Sequence, residues 1–243
     1  MTVKPYQESS ETKKSQVEQM FDNIAPRYDF LNHLLSAGID KVWRRRAINL
    51  LKGLEHPNVL DVATGTGDLA LALQKRLNAR VTGLDLSEEM LKVAHQKVAH
   101  KSLSSHISLV QGDSENLPFG NDAFDAVTVA FGVRNFENLN QGLSEMARVL
   151  KPGGKMVVLE FSKPSKFPMK QLYRFYFLTI LPFWGGLISN DKAAYTYLPK
   201  SVEAFPEGND FMSLLETCNL VNIRQYRQTF GIATIYYSEK PTQ

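Results

Sequence analysis

The sequence predicts an α/β protein with a Rossmann-like, doubly wound and mainly parallel seven-stranded sheet, an N-terminal helical lid and a helical insert after strand five. Three observations support this prediction. Short apolar runs alternate with helical patterns from residue 58 onwards, Gly65 and Gly67 form a turn after the first run, and Asp85 follows the second. Such alternation is typical of parallel sheets with helices on both faces.

The N-terminal part, residues 15–52, is predicted to form a helical preface to the sheet. Val17, Met20 and Ile24 recur at helical spacing, and the proline at position 26 is expected to end this first helix. A second helix is predicted at residues 29–35 and a third from about residue 40 to 51. We expect this preface to form a lid over a ligand pocket.

Residues 58–161 are predicted to form the ligand-binding core, and residues 206–243 to complete the same domain with a helix and two strands. The strand candidates, in chain order, are residues 58–63, 80–84, 107–111, 124–130, 155–161, 221–229 and 233–238. The helix candidates are residues 68–76, 87–97 with Ser87 as its cap, 138–150 and 208–218. The 243 residues are therefore interpreted as a single domain, 1–243.

The alternation stops at residues 163–205, which form a basic and aromatic insert. Its apolar run, residues 175–189, would span about 22 Å as a helix, which is short of the roughly 30 Å of a bilayer. The insert is predicted to face the substrate or a membrane surface. A roof over an apolar tunnel, a dimer face and simple burial are the open alternatives.

Composition and charge limit the classes of function. The formal charge of +3 gives no reason to expect nucleic-acid binding. Cys218 is the only cysteine, and the polar N-terminus has no apolar core of a signal peptide. We therefore expect a cytoplasmic protein, with a peripheral position at the inner face of the plasma membrane as an extension of that prediction. No clustered spacing of metal ligands occurs, so no metal is expected.

The strongest local signal is the run VLDVATGTGD, residues 59–68. Its glycines allow a tight turn and a close approach of the backbone to a ligand, although a tight loop without a ligand has the same pattern. Asp85 follows the second strand, where a carboxylate can bind both hydroxyls of a ribose or, alternatively, cap the next helix. Asp113, after the third strand, is placed to bind an adenine amine. Open α/β folds bind ligands at this edge.

The chain resembles class I S-adenosylmethionine-dependent methyltransferases. The shared motifs are the D-x-A-T-G-T-G-D loop, the aspartate after strand two, G-D-x-x-x-L-P-F after strand three and R-V-L-K-P-G-G before strand five. Within that class it is most similar to the C-methyltransferases of menaquinone and ubiquinone biosynthesis. The motifs that carry this similarity are FDNIAPRYDFLN (21–32), FGVRNFEN (131–138), LEFSKP (159–164) and TFGIATIYY (229–237). The resemblance covers nearly the whole chain.

The resemblance implies S-adenosylmethionine as cofactor and assigns residues to its site. The implied cofactor-binding residues are Thr64, Gly65, Thr66, Gly67, Asp85, Leu86, Asp113 and Ser114. Ala130 stands where some relatives carry a serine, so a side-chain hydrogen bond is absent at that position. The implied substrate-binding residues are Tyr28, Asn32 and His33 of the lid, where His33 is structural in the alternative interpretation.

Arg134 and Asn135 are the candidate catalytic residues because they follow the fourth strand. The Arg134 guanidinium is a poor base but can stabilise a phenolate, and Asn135 can orient a ring by hydrogen bonding. Pairing of Arg134 with a structural carboxylate is an equally open alternative.

The implied reaction is the S-adenosylmethionine-dependent C-methylation of demethylmenaquinol to menaquinol. The alternative acceptor is a polyprenyl-methoxy-benzoquinol of ubiquinone biosynthesis. A nicotinamide dehydrogenase also places an acid after strand two, but the L-P-F and L-K-P-G-G segments argue against it. From another class, a non-catalytic cofactor-binding scaffold of a quinone-biosynthesis assembly would share the same loops. The expected partners are an isoprenoid quinol, a transiently contacted membrane surface and a second copy in a homodimer.

Overall fold

A computed structural model of the chain describes residues 3–36, 38–176, 179 and 192–242. The described strands are β1 (Asn58–Val62), β2 (Arg80–Asp85), β3 (Ile107–Gln111), β4 (Phe124–Ala130), β5 (Leu150–Phe161), β6 (Val221–Gln228) and β7 (Ala233–Glu239). They form one sheet in the order β3-β2-β1-β4-β5-β7-β6. The first five strands are parallel, and β7 is antiparallel to both of its neighbours. The predicted seven-stranded, mainly parallel sheet is confirmed.

Helices cover both faces of this sheet. The described α-helices are α1 (Lys13–Leu35), α2 (Ile39–Asn49), α3 (Asp68–Leu77), α4 (Glu88–His100), α5 (Leu139–Val149), α6 (Met169–Phe175), α7 (Lys192–Ala204) and α8 (Asn209–Thr217). Single 3-10 turns occur at Val133–Asn135 and Thr229–Gly231. The predicted cap of α4 is confirmed, because Ser87 Oγ accepts a hydrogen bond from the Met90 N–H at 3.1 Å.

Two buried clusters lie on opposite faces of the sheet, and they explain the apolar strand pattern. Leu60 and Val62 of β1 pack in the cluster that contains Phe211 of α8. Val59, which points to the other face, packs with Trp43 of α2. Strands buried on both faces read as nearly continuous apolar runs. This is why the strands could be located from the sequence.

The lid contains one long helix, α1, where the sequence predicted two helices separated at Pro26; that prediction is wrong. A proline inside a helix usually breaks it because its ring removes a hydrogen bond, at a cost of about 3 kcal/mol. Here Pro26 lies on the exposed side of the helix. Met20, before the proline, packs against Met90 of α4, and Asp29, after it, pairs with a lysine of α4. Tertiary contacts on both sides therefore keep the helix continuous.

Strand β5 begins at Leu150, earlier than the predicted residue 155. Its pairing with β4 shifts from Phe124 opposite Leu150 to Ala126 opposite Lys155, so residues 151–154 form a bulge. The K-P-G-G segment, residues 151–154, which was predicted to lie between a helix ending at 150 and a strand beginning at 155, therefore lies inside the strand.

The described part of the insert after β5 is helical, since it contributes α6 and α7. No described helix is long and apolar enough to cross a membrane. Most of the apolar run at residues 175–189, which was interpreted as too short to span a bilayer, lies outside the described residues.

Candidate active site

A cleft opens at the carboxyl ends of β1, β2 and β4, beneath α1. Five of the eight predicted cofactor residues line it: Gly65, Asp85, Leu86, Asp113 and Ser114. Ala130 also lines it, and its methyl group offers no hydrogen bond. The carboxyl edge of the sheet thus gathers the three loops that the sequence predicted to meet.

The loop after β1 requires glycine at two positions. Gly65 has φ +56°, a left-handed conformation, and its N–H donates to Asp85 Oδ2 at 2.7 Å. Gly67 has φ +80°, and a Cβ there would lie 3.3 Å from a side chain of α4. Thr64 lies behind the cleft, because its hydroxyl donates to the buried Asp61 at 2.7 Å. Thr64 and Gly67 therefore shape the loop from behind, while Gly65 faces the cleft.

Asp85 has both of the roles that the sequence left open. Oδ1 accepts from the Ser87 N–H at 3.0 Å, at the start of α4, and Oδ2 accepts from the Gly65 N–H. Burial raises the pKa of Asp85 to about 6, while the N–H donors oppose that shift. Each carboxylate oxygen has a second acceptor position. Asp85 can therefore bind two ligand hydroxyls without losing its contacts with the protein.

Asp113 is engaged by the lid. Its Oδ1 accepts from the Glu115 N–H at 2.9 Å, and its Oδ2 lies 2.6 Å from Lys14 Nζ at the start of α1. The hydrogen bond to Asp113 is the main reason that the pKa of Lys14 is raised. The Lys14 ammonium group thus forms an ion pair with the carboxylate that was predicted to bind an adenine amine.

Two further polar contacts hold α1 over the cleft. Asp22 Oδ1 accepts from Ser87 Oγ at 2.6 Å. Asp29 accepts from Thr66 Oγ1 at 2.5 Å and pairs with Lys97 of α4 at 2.8 Å. The hydroxyl of Thr66, a predicted cofactor residue, therefore faces the lid, and Thr66 does not line the cleft.

A second, mainly apolar cavity lies beside the cleft, between α1, α2 and the insert helices. Residues that line both spaces are Phe21, Tyr28, Phe131 and Asn135. The predicted substrate residue Tyr28 is thus at the junction of the two. The side chains of Asn32 and His33, the other two predicted substrate residues, lie outside the described residues. A cleft that carries the carboxylates of Asp85 and Asp113 and joins a more apolar cavity can hold two chemically different ligands in contact.

Arg134 is held by a carboxylate at the wall of this apolar cavity. Its Nη1 lies 2.8 Å from Oε1 of Glu160, which is fully buried. Burial raises the pKa of Glu160, and the charge of Arg134 opposes that shift. The predicted pairing of Arg134 with a structural carboxylate is therefore present. Nevertheless, Arg134 Nε and Asn135 Oδ1 are buried without a hydrogen-bond partner among the described residues.

Sequence reasoning missed several polar residues of this region. Lys14, Asp22 and Glu160 received no role, although Asp22 and Glu160 lie inside the quoted motifs 21–32 and 159–164. A carboxylate inside an apolar strand, such as Glu160, is a usable signal, because a buried charge needs a partner. Within the described part of the chain, no group of three or more His, Cys, Asp or Glu side chains is arranged to hold a metal.

Comparison with known proteins gives consistent matches over the chain. The profile of the ubiE/COQ5 methyltransferase family matches residues 7–240. A demethylmenaquinone methyltransferase of Bacteroides fragilis is 49% identical over 240 residues, which cover 98% of this chain and 97% of that protein. A ubiquinone/menaquinone biosynthesis C-methyltransferase of Geotalea daltonii is 47% identical over 230 residues, which cover 94% and 97%.

Solved structures show the same fold at low identity. A phosphoethanolamine N-methyltransferase of Haemonchus contortus, solved with S-adenosylmethionine, superposes with a TM-score of 0.66 at 14% identity. The match covers 91% of this chain and 60% of that one. At this identity the likeness establishes the fold of the chain and nothing further.

Proposed function

The chain belongs to the ubiE/COQ5 methyltransferase family, and from this premise we propose that it transfers the methyl group of S-adenosylmethionine to a ring carbon of demethylmenaquinol, which gives menaquinol. The observation that carries the proposal is the apolar cavity that adjoins the cleft at Tyr28 and Asn135. A lipid-soluble quinol requires such a cavity beside the cofactor, whereas a small polar substrate does not.

The residues of the cleft fit S-adenosylmethionine. We assign the ribose hydroxyls to Asp85, the adenine to Leu86, Asp113 and Ser114, and a close backbone approach to Gly65, with Thr64, Thr66 and Gly67 supporting the loop. When bound, this cofactor supplies a methyl group on a positively charged sulfur. Adenine binding at Asp113 requires Lys14 to move aside or to share the carboxylate.

The acceptor must become a better carbon nucleophile. A phenol titrates near pH 10, so ionisation at neutral pH needs its pKa lowered by about 2–3 units, or roughly 3–4 kcal/mol. Arg134 is suited to this task, because it is buried and its Nε–H has no hydrogen-bond partner among the described residues. Asn135 can accept from the second ring hydroxyl and fix the orientation of the ring.

The electron pair of the ionised oxygen is delocalised onto the adjacent ring carbon, which forms the new carbon–carbon bond as the carbon–sulfur bond breaks. The proton on that ring carbon then leaves to water, and the aromatic ring is restored. The protein contributes mainly by placing the two reactants at the junction of the two spaces, and such placement is worth roughly 7–11 kcal/mol in well-oriented cases.

A second acceptor, a polyprenyl-methoxy-benzoquinol, is favoured by one specific observation. The relative from Geotalea daltonii carries a name that covers both ubiquinone and menaquinone biosynthesis. The relative from Bacteroides fragilis is named for demethylmenaquinone alone, which supports the naphthoquinol as the first acceptor to test.

The test is methyl transfer from labelled S-adenosylmethionine to short-chain demethylmenaquinol kept reduced, with a demethoxylated benzoquinol and an oxidised quinone beside it. We expect label in the naphthoquinol and none in the oxidised quinone, which has no ionisable hydroxyl. Cofactor binding without transfer to any acceptor would contradict the proposal and favour the non-catalytic scaffold.

We also propose that α6 contacts a membrane surface, at the inner face of the plasma membrane. Phe167, Leu172 and Phe175 are 81%, 57% and 60% exposed, which is unusual for large apolar side chains. Lys170 and Arg174, both exposed, lie on the same short helix. Exposed apolar groups interleaved with basic ones suit anionic lipid.

Liposome flotation tests this contact. Vesicles with anionic lipid should retain the protein at low salt, and neutral vesicles should retain less. The double variant Leu172→Ser/Phe175→Ser should lose retention without a change in cofactor affinity. Full recovery of the unmodified protein outside anionic vesicles would contradict the proposal. The homodimer stays a prediction, which light scattering checks by molar mass.

A further inference from the structure

Tyr197, on helix α7 of the insert, has a buried hydroxyl without a hydrogen-bond partner among the described residues. The residue is 3% exposed and lines the apolar cavity. Buried hydroxyls are nearly always hydrogen-bonded, because leaving one unpaired costs free energy. A phenylalanine would fill the same space without that cost. We therefore infer that a ligand bound in the cavity supplies the hydrogen-bond partner of the Tyr197 hydroxyl.

Another tyrosine of this protein shows the usual arrangement. Tyr236 is 1% exposed, and its hydroxyl accepts a hydrogen bond from the Gly208 N–H at 2.8 Å. Both tyrosines are equally buried, but only Tyr197 lines the cavity. The lack of a partner at Tyr197 is thus not a general property of buried tyrosines in this chain.

The surroundings of Tyr197 determine what its hydroxyl can do. Burial raises the pKa of Tyr197 to about 12, with the charge of Arg134 lowering it and that of Glu160 raising it. The hydroxyl therefore stays protonated near neutral pH and acts as a hydrogen-bond donor, not as a base. Tyr197 and the candidate catalytic Arg134 line the same cavity.

The unpartnered polar atoms of the cavity match one particular form of the acceptor. Tyr197 Oη–H and Arg134 Nε–H are two donors, and Asn135 Oδ1 is an acceptor. A quinol that has lost one proton carries one oxyanion, which accepts hydrogen bonds, and one hydroxyl, which donates one. The neutral quinol has a second hydroxyl in place of the oxyanion. Because that hydroxyl oxygen carries no charge, it accepts weaker hydrogen bonds than the oxyanion does.

We propose that Tyr197 is a catalytic residue that donates a hydrogen bond to the ring oxygen of the acceptor that ionises, next to the Nε–H of Arg134. This inference rests on the proposed function. It gives the insert a place in the reacting site, in addition to the contact of α6 with lipid.

The experiment compares Tyr197→Phe with the unmodified enzyme and with Tyr236→Phe as the matched control. Tyr197→Phe should lower kcat/KM for the naphthoquinol about 10- to 100-fold, as expected for losing a hydrogen bond to a charged oxygen. The midpoint of the acidic limb of its kcat–pH profile should rise by about one to two units. Cofactor affinity should not change, because Tyr197 does not line the cleft.

Thermal stability separates this role from a structural one. Tyr197→Phe removes an unpaired buried hydroxyl, so its Tm should stay the same or rise. Tyr236→Phe removes a hydroxyl that pairs with Gly208, so its Tm should fall while its kinetics with acceptor remain unchanged. A lower Tm together with an unshifted pH profile in Tyr197→Phe would overturn the proposal.

A binding measurement without turnover distinguishes failure of this inference from failure of the proposed function. The absorbance of a 2-alkyl-1-naphthol reports its ionisation, and the unmodified protein should lower the pKa of the bound naphthol more than Tyr197→Phe does. If this difference is found but no acceptor is methylated, the proposed reaction is wrong and the oxyanion site remains. If methyl transfer occurs and both proteins shift the naphthol equally, the role of Tyr197 is wrong.

Discussion

The cleft and the adjoining cavity differ in whether their polar groups are hydrogen-bonded within the protein. In the cleft, Asp85 is already bonded to two backbone N–H groups, and Asp113 to Lys14. In the cavity, Arg134 Nε and the Tyr197 hydroxyl are buried without partners among the described residues. The cleft is therefore preformed by its own hydrogen bonds, whereas we infer that a ligand supplies the partners of these two atoms in the cavity. A wrong ligand in the cavity leaves these groups unpaired, which is an effective source of specificity.

Glu160→Gln should produce the largest change in stability. The substitution leaves the buried charge of Arg134 without its counter-ion, and breaking a buried pair in this way costs about 3–5 kcal/mol of unfolding free energy. Urea unfolding followed by circular dichroism measures this loss. Lys92→Gln, which breaks an exposed pair on α4, is the control and should leave stability unchanged. Equal stability of both variants would show that the cavity wall is as adaptable as the surface.

Asp85→Asn should weaken cofactor binding in the cleft, without an effect on the cavity. The amide loses the charge that strengthens two ribose hydrogen bonds and turns an NH₂ group towards the N–H donors of the protein, so we expect a loss of about 3 kcal/mol, or about 100-fold in cofactor affinity. Calorimetric titration with S-adenosylmethionine measures it. Binding of the naphthol to the cavity should not change. A parallel loss of naphthol binding would mean that the two spaces are not energetically separate.

The raised pKa of Asp85 predicts a pH dependence of cofactor binding. With a pKa of about 6, only about a tenth of the carboxyl is ionised at pH 5, so affinity for S-adenosylmethionine should fall up to about tenfold between pH 7 and pH 5. The stability of the cofactor-free protein should depend on pH in the opposite direction, with a larger contribution from Asp85 at low pH. Because the folded pKa exceeds the unfolded value of about 3.9, the contribution of Asp85 to stability is present at low pH and is lost as pH rises through about 6.

Titrations at several pH values check this prediction, with Asp85→Asn as the control. That variant should bind the cofactor with nearly pH-independent affinity. A full pH dependence in the variant would assign the effect to another carboxyl, and Asp61, whose pKa burial also raises to about 6, is the nearest candidate.

The smallest effect is expected at the lid. Asp29→Asn weakens the contacts of α1 with Thr66 and Lys97, which are partly exposed, so we expect a change of about 0.5–1 kcal/mol. This corresponds to cofactor release about two- to fivefold faster, measured by stopped-flow displacement. Glu89→Gln on α4 is the control and should leave release unchanged. An unaffected release rate in Asp29→Asn would show that α1 does not limit exit from the cleft.

The positions of the cofactor loops could be predicted because they depend on local pattern. The alternation of apolar runs and helical spacing predicts parallel strands, and parallel strands bring their carboxyl ends to one edge. Gly65, Asp85 and Asp113 follow three such strands, so their meeting in one cleft required no knowledge of helix packing. The roles of these residues in binding the cofactor stay predictions.

What the sequence by itself determined is the sheet, its order of loops and the family resemblance of its motifs. Only the tertiary structure decided that α1 continues through Pro26, that Lys14 binds Asp113, that Glu160 pairs with Arg134, and that Tyr197 lines the same cavity as Arg134. The physical reason is the range of the interactions. Periodicity records which face of an element is buried, but a contact between side chains distant in sequence depends on how whole helices pack, and no local pattern encodes it.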